Sequence, residues 1–150
     1  MVDKWNAYFL RLAREISTRS KDPSTKVGAI IVRPDRSIVS TGYNGFPRLM
    51  PDLPLWYEDR ERKYQRIIHA EMNALIQAKQ SVEGCTLYTW PFMCCDRCIV
   101  HLAQAGIIKF IYPSAQPDAQ IRWNENFERA LLFLDYMHLS SLEILREEIE

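Results

Sequence analysis

Residues 69–112 read HAEMNALIQAKQSVEGCTLYTWPFMCCDRCIVHLAQAGIIKFIY, and the periodicities in this stretch decide the architecture. Ala70, Ala74, Leu75 and Ala78 recur at helical spacing within 67–79, and the region of His69 forms the start of that helix. Leu87, Tyr88 and Thr89 read as a short strand. Residues 95–105 are helical and Gly106 stops them; Ile107, Ile108, Phe110, Ile111 and Tyr112 make the next strand. Strands that alternate with helices in this way build a sheet with helices packed on it.

Working outward, Trp5, Tyr8, Phe9, Leu12, Ala13 and Ile16 place a first helix over about residues 3–18. After a turn-rich break at 20–24, Val27 and Ala29 to Val32 form a strongly buried strand. Pro34, Asp35 and Arg36 reverse the chain into an antiparallel neighbour at 38–43. The stretch 45–55, with Pro47, Pro51 and Pro54, is a long loop able to reach over a site. Residues 56–66 are charged and helix-compatible. Trp123, Phe127, Ala130, Leu131 and Leu134 place a last long helix over about 121–135, followed by a small edge strand near 137–139. The acidic tail 140–150 is helix-compatible. The expected class is α/β, a mixed central sheet of about five strands flanked by helices, in one domain over 1–150.

The chain has 150 residues, 47% hydrophobic and 25% charged, values that exclude intrinsic disorder and a fibrous class. Nineteen basic residues balance nineteen acidic ones, so no long-range field gathers a polyanion, and no nucleic-acid partner is expected. Charges at Asp3, Lys4, Arg11, Arg14 and Glu15 break up the N-terminal apolar residues, and no run nears the ~20 apolar residues of a membrane span. No membrane partner is expected, and the cytoplasm is the expected compartment. Cys94, Cys95 and Cys98 are too closely spaced for a disulfide framework, which directs attention to metal binding.

His69-Ala70-Glu71 stands at one helix start and Cys95-Asp96-Arg97-Cys98 at the next. One imidazole and two thiolates are the three ligands expected of a tetrahedral zinc that keeps its fourth position open. Helix N-termini favour the thiolate form. Glu71 is the carboxylate available to move protons, although residues two apart on an ideal helix are rotated by about 200°. Periodicity therefore does not by itself place Glu71 beside the metal.

His-x-Glu followed by Cys-x-x-Cys is the pattern of zinc deaminases, and the chain resembles the cytidine/deoxycytidylate deaminase superfamily from about Asp22 to Tyr112. Lys26-Val27-Gly28-Ala29, Gly42-Tyr43-Asn44-Gly45-Phe46-Pro47, His69-Ala70-Glu71-Met72-Asn73-Ala74 and Gln104-Ala105-Gly106-Ile107 narrow the resemblance to deoxycytidylate (dCMP) deaminases. It implies a three-layer α/β/α cytidine deaminase-like fold and zinc-dependent hydrolysis of dCMP to dUMP and ammonia in pyrimidine nucleotide supply. In that reaction C4 of cytosine is attacked while Glu71 delivers a proton to N3 and then to the departing amino group. The resemblance further implies a homohexamer activated by dCTP and inhibited by dTTP, with Mg2+ accompanying a triphosphate effector. The same zinc chemistry also serves tRNA adenosine and free-nucleoside deaminases. A zinc closed by a fourth protein ligand would instead make a non-catalytic nucleotide-sensing module.

The resemblance implies His69, Cys95 and Cys98 as metal ligands and Glu71 as the catalytic residue. Cys94 stands where the family carries proline and competes with Cys95, whose two-residue gap to Cys98 favours it. Gln77 and Gln80 stand where an aromatic and a basic residue are expected. The resemblance places Tyr43, Asn44, Gly45 and Ala70 at a nucleotide, substrate or effector, while Asn44-Gly45 also reads as an ordinary hairpin turn. Lys26, behind Ser24 and Thr25, is read equally as a phosphate contact and a turn residue. Trp90 and Phe92 are expected to wall the pocket. Arg60, Arg62, Lys63 and Arg66 read as a solvated helix face, Trp56 and Tyr57 as packing, and Cys85 as a buried small hydrophobe.

Overall fold

The computed structural model describes residues 2–150. Helix α1 (Lys4–Ser17) starts where Asp3 accepts a hydrogen bond from the Trp5 N–H at 2.8 Å. Strands β1 (Gly28–Val32) and β2 (Ile38–Tyr43) pair antiparallel. Two short helices, α2 (Pro54–Glu58) and α3 (Arg60–Arg66), follow the proline-rich loop and are divided at Asp59, whose carboxylate caps α3 through the Arg62 N–H. Then come α4 (Ala70–Ala78), β3 (Thr86–Trp90), α5 (Asp96–Ala105), β4 (Lys109–Pro113), α6 (Pro117–Tyr136) and β5 (Ser140–Ile144), closed by a single 3-10 turn at Arg146–Glu148.

The strands form one mixed sheet in the order β2-β1-β3-β4-β5. β1 is antiparallel to both its neighbours, whereas β3, β4 and β5 run parallel. All five residues of β1 are buried, which is why it reads as an unbroken apolar run. Strand alternation then divides the core in two. Ala29, Ile31, Leu87 and Phe110 face α4, α5 and α6, while Ile30, Val32, Tyr88 and Ile111 face Phe9, Leu10 and Ala13 of α1. Each fully buried Leu, Ile or Phe contributes roughly 1.5–3 kcal/mol of transfer free energy, so both layers are strongly held.

Gly42 lets α4 lie directly on β2. A Cβ there would collide with the Ala70 carbonyl oxygen and sit 2.5 Å from the Ala74 nitrogen. Gly106 ends α5 at φ 110°, a left-handed cap favoured by glycine.

The structure corrects three expected boundaries. α4 starts at Ala70 and not at 67, because Ile68 exchanges two backbone hydrogen bonds with Gly45 and stays extended. α6 starts at Pro117, four residues before the expected 121, with proline at the position where its missing N–H costs nothing. The edge strand is Ser140–Ile144, in the tail expected to be helical; Met137 and His138 form the reversal that precedes it. Pairing with β4 and burial of Ile144 outweigh the local helical preference of that acidic segment. Among the described residues, no helix is long and apolar enough to cross a membrane.

Candidate active site

The two motifs meet because both ligand-bearing residues are N-caps in extended backbone, His69 at ψ 152° and Cys95 at ψ 161°. His69 Nδ1 lies 3.3 Å from Cys95 Sγ and 3.3 Å from Cys98 Sγ. Cys95 Sγ also accepts the Cys98 N–H at 3.4 Å, so one sulfur satisfies an orphan donor of the α5 N-terminus. Ligand atoms of His69, Glu71, Cys95 and Cys98 all lie within 4.8 Å of one another. Donors bound at 2.0–2.3 Å to one tetrahedral zinc are themselves about 3.5 Å apart. The imidazole and two sulfurs therefore fit such an ion with little movement.

Because His69 precedes the first helical residue, the helical-wheel objection to Glu71 does not apply, and the cap geometry brings the two side chains together. Glu71 is 4% exposed. Burial, and then the charge on Cys95, raise its carboxyl above the usual range. Hydrogen bonding from Cys98 and then His69, against opposing burial, lowers the Cys95 thiol to about 4. His69 rises to about 9, chiefly through its hydrogen bond to Cys95. Hydrogen bonding to Cys94 and Cys95 keeps Cys98 a thiol. Cys94 is buried in the core beside Cys98 and Glu71, outside the four-residue cluster, with its thiol raised chiefly by burial.

His69, Glu71 and Cys95 of this cluster line a pocket whose aromatic walls include Tyr64, Phe92, Trp123 and Phe127, with the Phe92 and Phe127 ring centroids 5.6 Å apart. Ala70 lines it as well. On the far wall, Lys63 Nζ meets the two Asp22 carboxylate oxygens at 3.1 and 3.2 Å, both side chains being buried. Asp22 also accepts the Ser24 N–H at 2.8 Å, which fixes the 22–25 loop that borders the pocket.

Several expected residues fall elsewhere. Lys26 opens onto an adjoining groove with Arg122 and Arg146, and that groove shares Ser24, Thr25, Phe92 and Trp123 with the pocket. Tyr43 and Gly45 line a second cavity with Lys21, Arg48 and Asn73. Asn44 borders both cavities but is buried, its amide bonded to Val27 N, Thr25 O and Asp22. Trp90, expected in the pocket wall, lies on the α1 side of the sheet, where alternation along β3 turns it away from the cluster. There Arg146 and Arg14 lie over its ring at 4.5 and 5.5 Å. Lys63 is likewise not a solvated charge, in contrast to the exposed Arg60, Arg62 and Arg66 beside it. Trp56 and Tyr57 pack on Phe46, and Cys85 is buried, as read.

The sequence reading missed the Asp22–Lys63 pair and the pocket roles of Trp123, Phe127 and Arg122. Trp123 and Phe127 had shown only a helical apolar stripe.

Residues 3–114 match the model of the cytidine and deoxycytidylate deaminase zinc-binding region. The chain belongs to this family. An uncharacterized deaminase encoded in the luxG 3' region of Aliivibrio fischeri is 39% identical to this family member over 128 residues, covering 85% of each chain. The deoxycytidylate deaminase of Mus musculus is 39% identical over 117 residues, covering 74% of this chain and 65% of the relative. The chain thus spans about two thirds of that mammalian relative's length. Among solved structures, the dCMP deaminase of cyanophage S-TIM5 in complex with dCMP and dUMP superposes with a TM-score of 0.75 at 24% identity. The match covers 96% of this chain and 99% of that one. This likeness establishes the three-layer deaminase fold.

Proposed function

We propose that this family member hydrolyses dCMP to dUMP and ammonia, as one domain spanning 1–150. The observation that carries the reading is the convergence of His69, Glu71, Cys95 and Cys98, three of which, His69, Glu71 and Cys95, line an aromatic-walled pocket. That the relatives of Mus musculus and Homo sapiens are named deoxycytidylate deaminases supports dCMP as the substrate.

His69, Cys95 and Cys98 would hold Zn2+. When bound, the ion supplies positive charge that eases deprotonation of the attacking water and draws the remaining proton off the cysteines. Glu71 accepts the proton of that water and delivers it to N3 of the cytosine as the water oxygen bonds to C4. Glu71 then takes the remaining proton from the new C4 hydroxyl and passes it to the amino group, the C4–N bond breaks as the C4 carbonyl forms, and ammonia leaves with dUMP as the other product. Phe92, Trp123 and Phe127 hold the flat base and exclude bulk water. Lys26 and Arg122, which line the adjoining groove, would meet the 5′-phosphate; Lys26 Nζ also donates to the Ser20 carbonyl, a bond that suits the turn reading.

For Asn44, the side-chain bonds support a role in shaping the walls of both cavities. We assign the second cavity, with Tyr43, Gly45, Lys21 and Arg48, to the effectors dCTP and dTTP, accompanied by Mg2+, in a homohexamer. Ultraviolet-monitored deamination by zinc-loaded protein tests the reading with dCMP, dCTP, deoxycytidine and cytidine offered separately and zinc per chain measured. Turnover of dCMP above the others is expected; bound zinc with no turnover of any of them would overturn it. Substrate curves that are identical with and without dCTP and dTTP would remove the effector assignment.

A further inference from the structure

We propose that Asn126, backed by Arg129, is a positioning residue for Cys95, holding the thiolate from outside the ligand set; this rests on the assignment of Cys95 as a zinc ligand. Asp96 directly follows Cys95 and supplies the first N–H of α5, a donor with no partner inside its own helix. The Asn126 carboxamide oxygen accepts that N–H at 3.0 Å, while its NH2 donates to Asp96 Oδ1 at 2.9 Å. Arg129 Nε donates to the other carboxylate oxygen at 2.8 Å.

The two bonds of Asn126 close a ring with one residue, so the amide has a single orientation that satisfies both. The Asp96 N–H belongs to the same peptide plane as the Cys95 carbonyl. Holding that plane fixes ψ of Cys95, and with it the direction in which Cα and Sγ face His69. Asn126 and Arg129 are one helical turn apart on α6, and Phe127 between them is buried against the pocket. α6 therefore reaches the ligand loop by two polar contacts and the base pocket by an apolar one. Asp96 carries no ligand atom in the four-residue cluster, so its carboxylate serves the clamp and not the ion. Partners that orient a ligand in this way typically alter metal affinity 10–100-fold when removed.

The test measures zinc release to a chromogenic chelator, the absorption bands of the cobalt-substituted protein, and the melting temperature of the metal-free protein. It compares wild type, Asn126→Ala, and Asn124→Ala as a control. Asn124 lies on the exposed side of α6, bonded only to Gln120 and Glu128. Asn126→Ala is expected to release zinc about 10-fold faster or more and to shift the thiolate–cobalt bands, with metal-free melting close to wild type. Asn124→Ala should match wild type throughout. Unchanged release and an unchanged cobalt spectrum in a folded Asn126→Ala would overturn the proposal. If Asn126→Ala does not fold, Arg129→Ala decides. Faster release that Arg129→Lys partly restores supports the clamp, and unchanged release overturns it. Wild-type protein that binds no zinc would overturn the ligand assignment itself.

Discussion

Replacing Lys63 with Met removes the ammonium that meets both oxygens of Asp22, at 3.1 and 3.2 Å, while keeping a side chain of similar length. The two side chains are only 8% and 3% exposed, so water cannot take the place of the lost partner. Removing one member of a buried ion pair costs about 3–5 kcal/mol, because the other charge stays desolvated and uncompensated. Asp22 keeps the Ser24 N–H at 2.8 Å and the Asn44 amide at 3.4 Å, which puts the expected loss at the lower end, about 3 kcal/mol. With a urea dependence of about 2 kcal/mol per molar for a chain of this size, the unfolding midpoint should fall by about 1.5 M. Urea unfolding followed by circular dichroism measures this. Adding Asp22→Asn to Lys63→Met should recover part of the loss, since the neutral amide removes the stranded charge and retains an acceptor for Ser24. A midpoint shift under about 0.3 M, or a double variant no more stable than Lys63→Met alone, would refute the argument that burial makes this pair matter.

Glu71→Gln should retain zinc and fold while losing about 10²–10⁴ in turnover, the range a positioned proton carrier supplies; near-normal turnover would exclude it as the proton carrier. Cys98→Ala, by contrast, should lose metal and thermal stability together, as read by zinc analysis and calorimetry, because binding and folding free energy are shared at such sites. Gly42→Ala should destabilise the protein by about 1–3 kcal/mol and depress activity with it, since the added Cβ meets backbone atoms of α4, the helix that carries Glu71. Burial first, and the hydrogen bond to Asp52 second, raise the Tyr57 hydroxyl to about 12. The folded state therefore favours neutral phenol, and stability should fall as pH rises from about 10 towards 12; a Tyr57→Phe variant, followed by alkaline unfolding, should show a shallower fall.

Local patterns determined the main helices, the first four strands and the chemistry of the site. β1 was legible because a strand buried on both faces is apolar throughout, and the antiparallel β1–β2 pair because Pro34 to Arg36 leave room only for a reversal. His69, Glu71, Cys95 and Cys98 were legible because a metal site needs particular ligand types at particular short spacings. Only the tertiary structure decided what depends on contacts between distant residues. The backbone exchange between Gly45 and Ile68 holds residue 68 extended, so α4 begins after His69 and the imidazole and carboxylate can share one site. The partner of Lys63 lies 41 positions away, and that of Asp96 lies 30 positions away on another helix. Neither pairing leaves a periodic signal, because in the sequence the side chains involved look like ordinary surface polar residues. The last strand was hidden for the same reason: Ser140–Ile144 has little strand character alone, and the backbone of β4, together with the pocket that takes Ile144, supplies what the local sequence lacks.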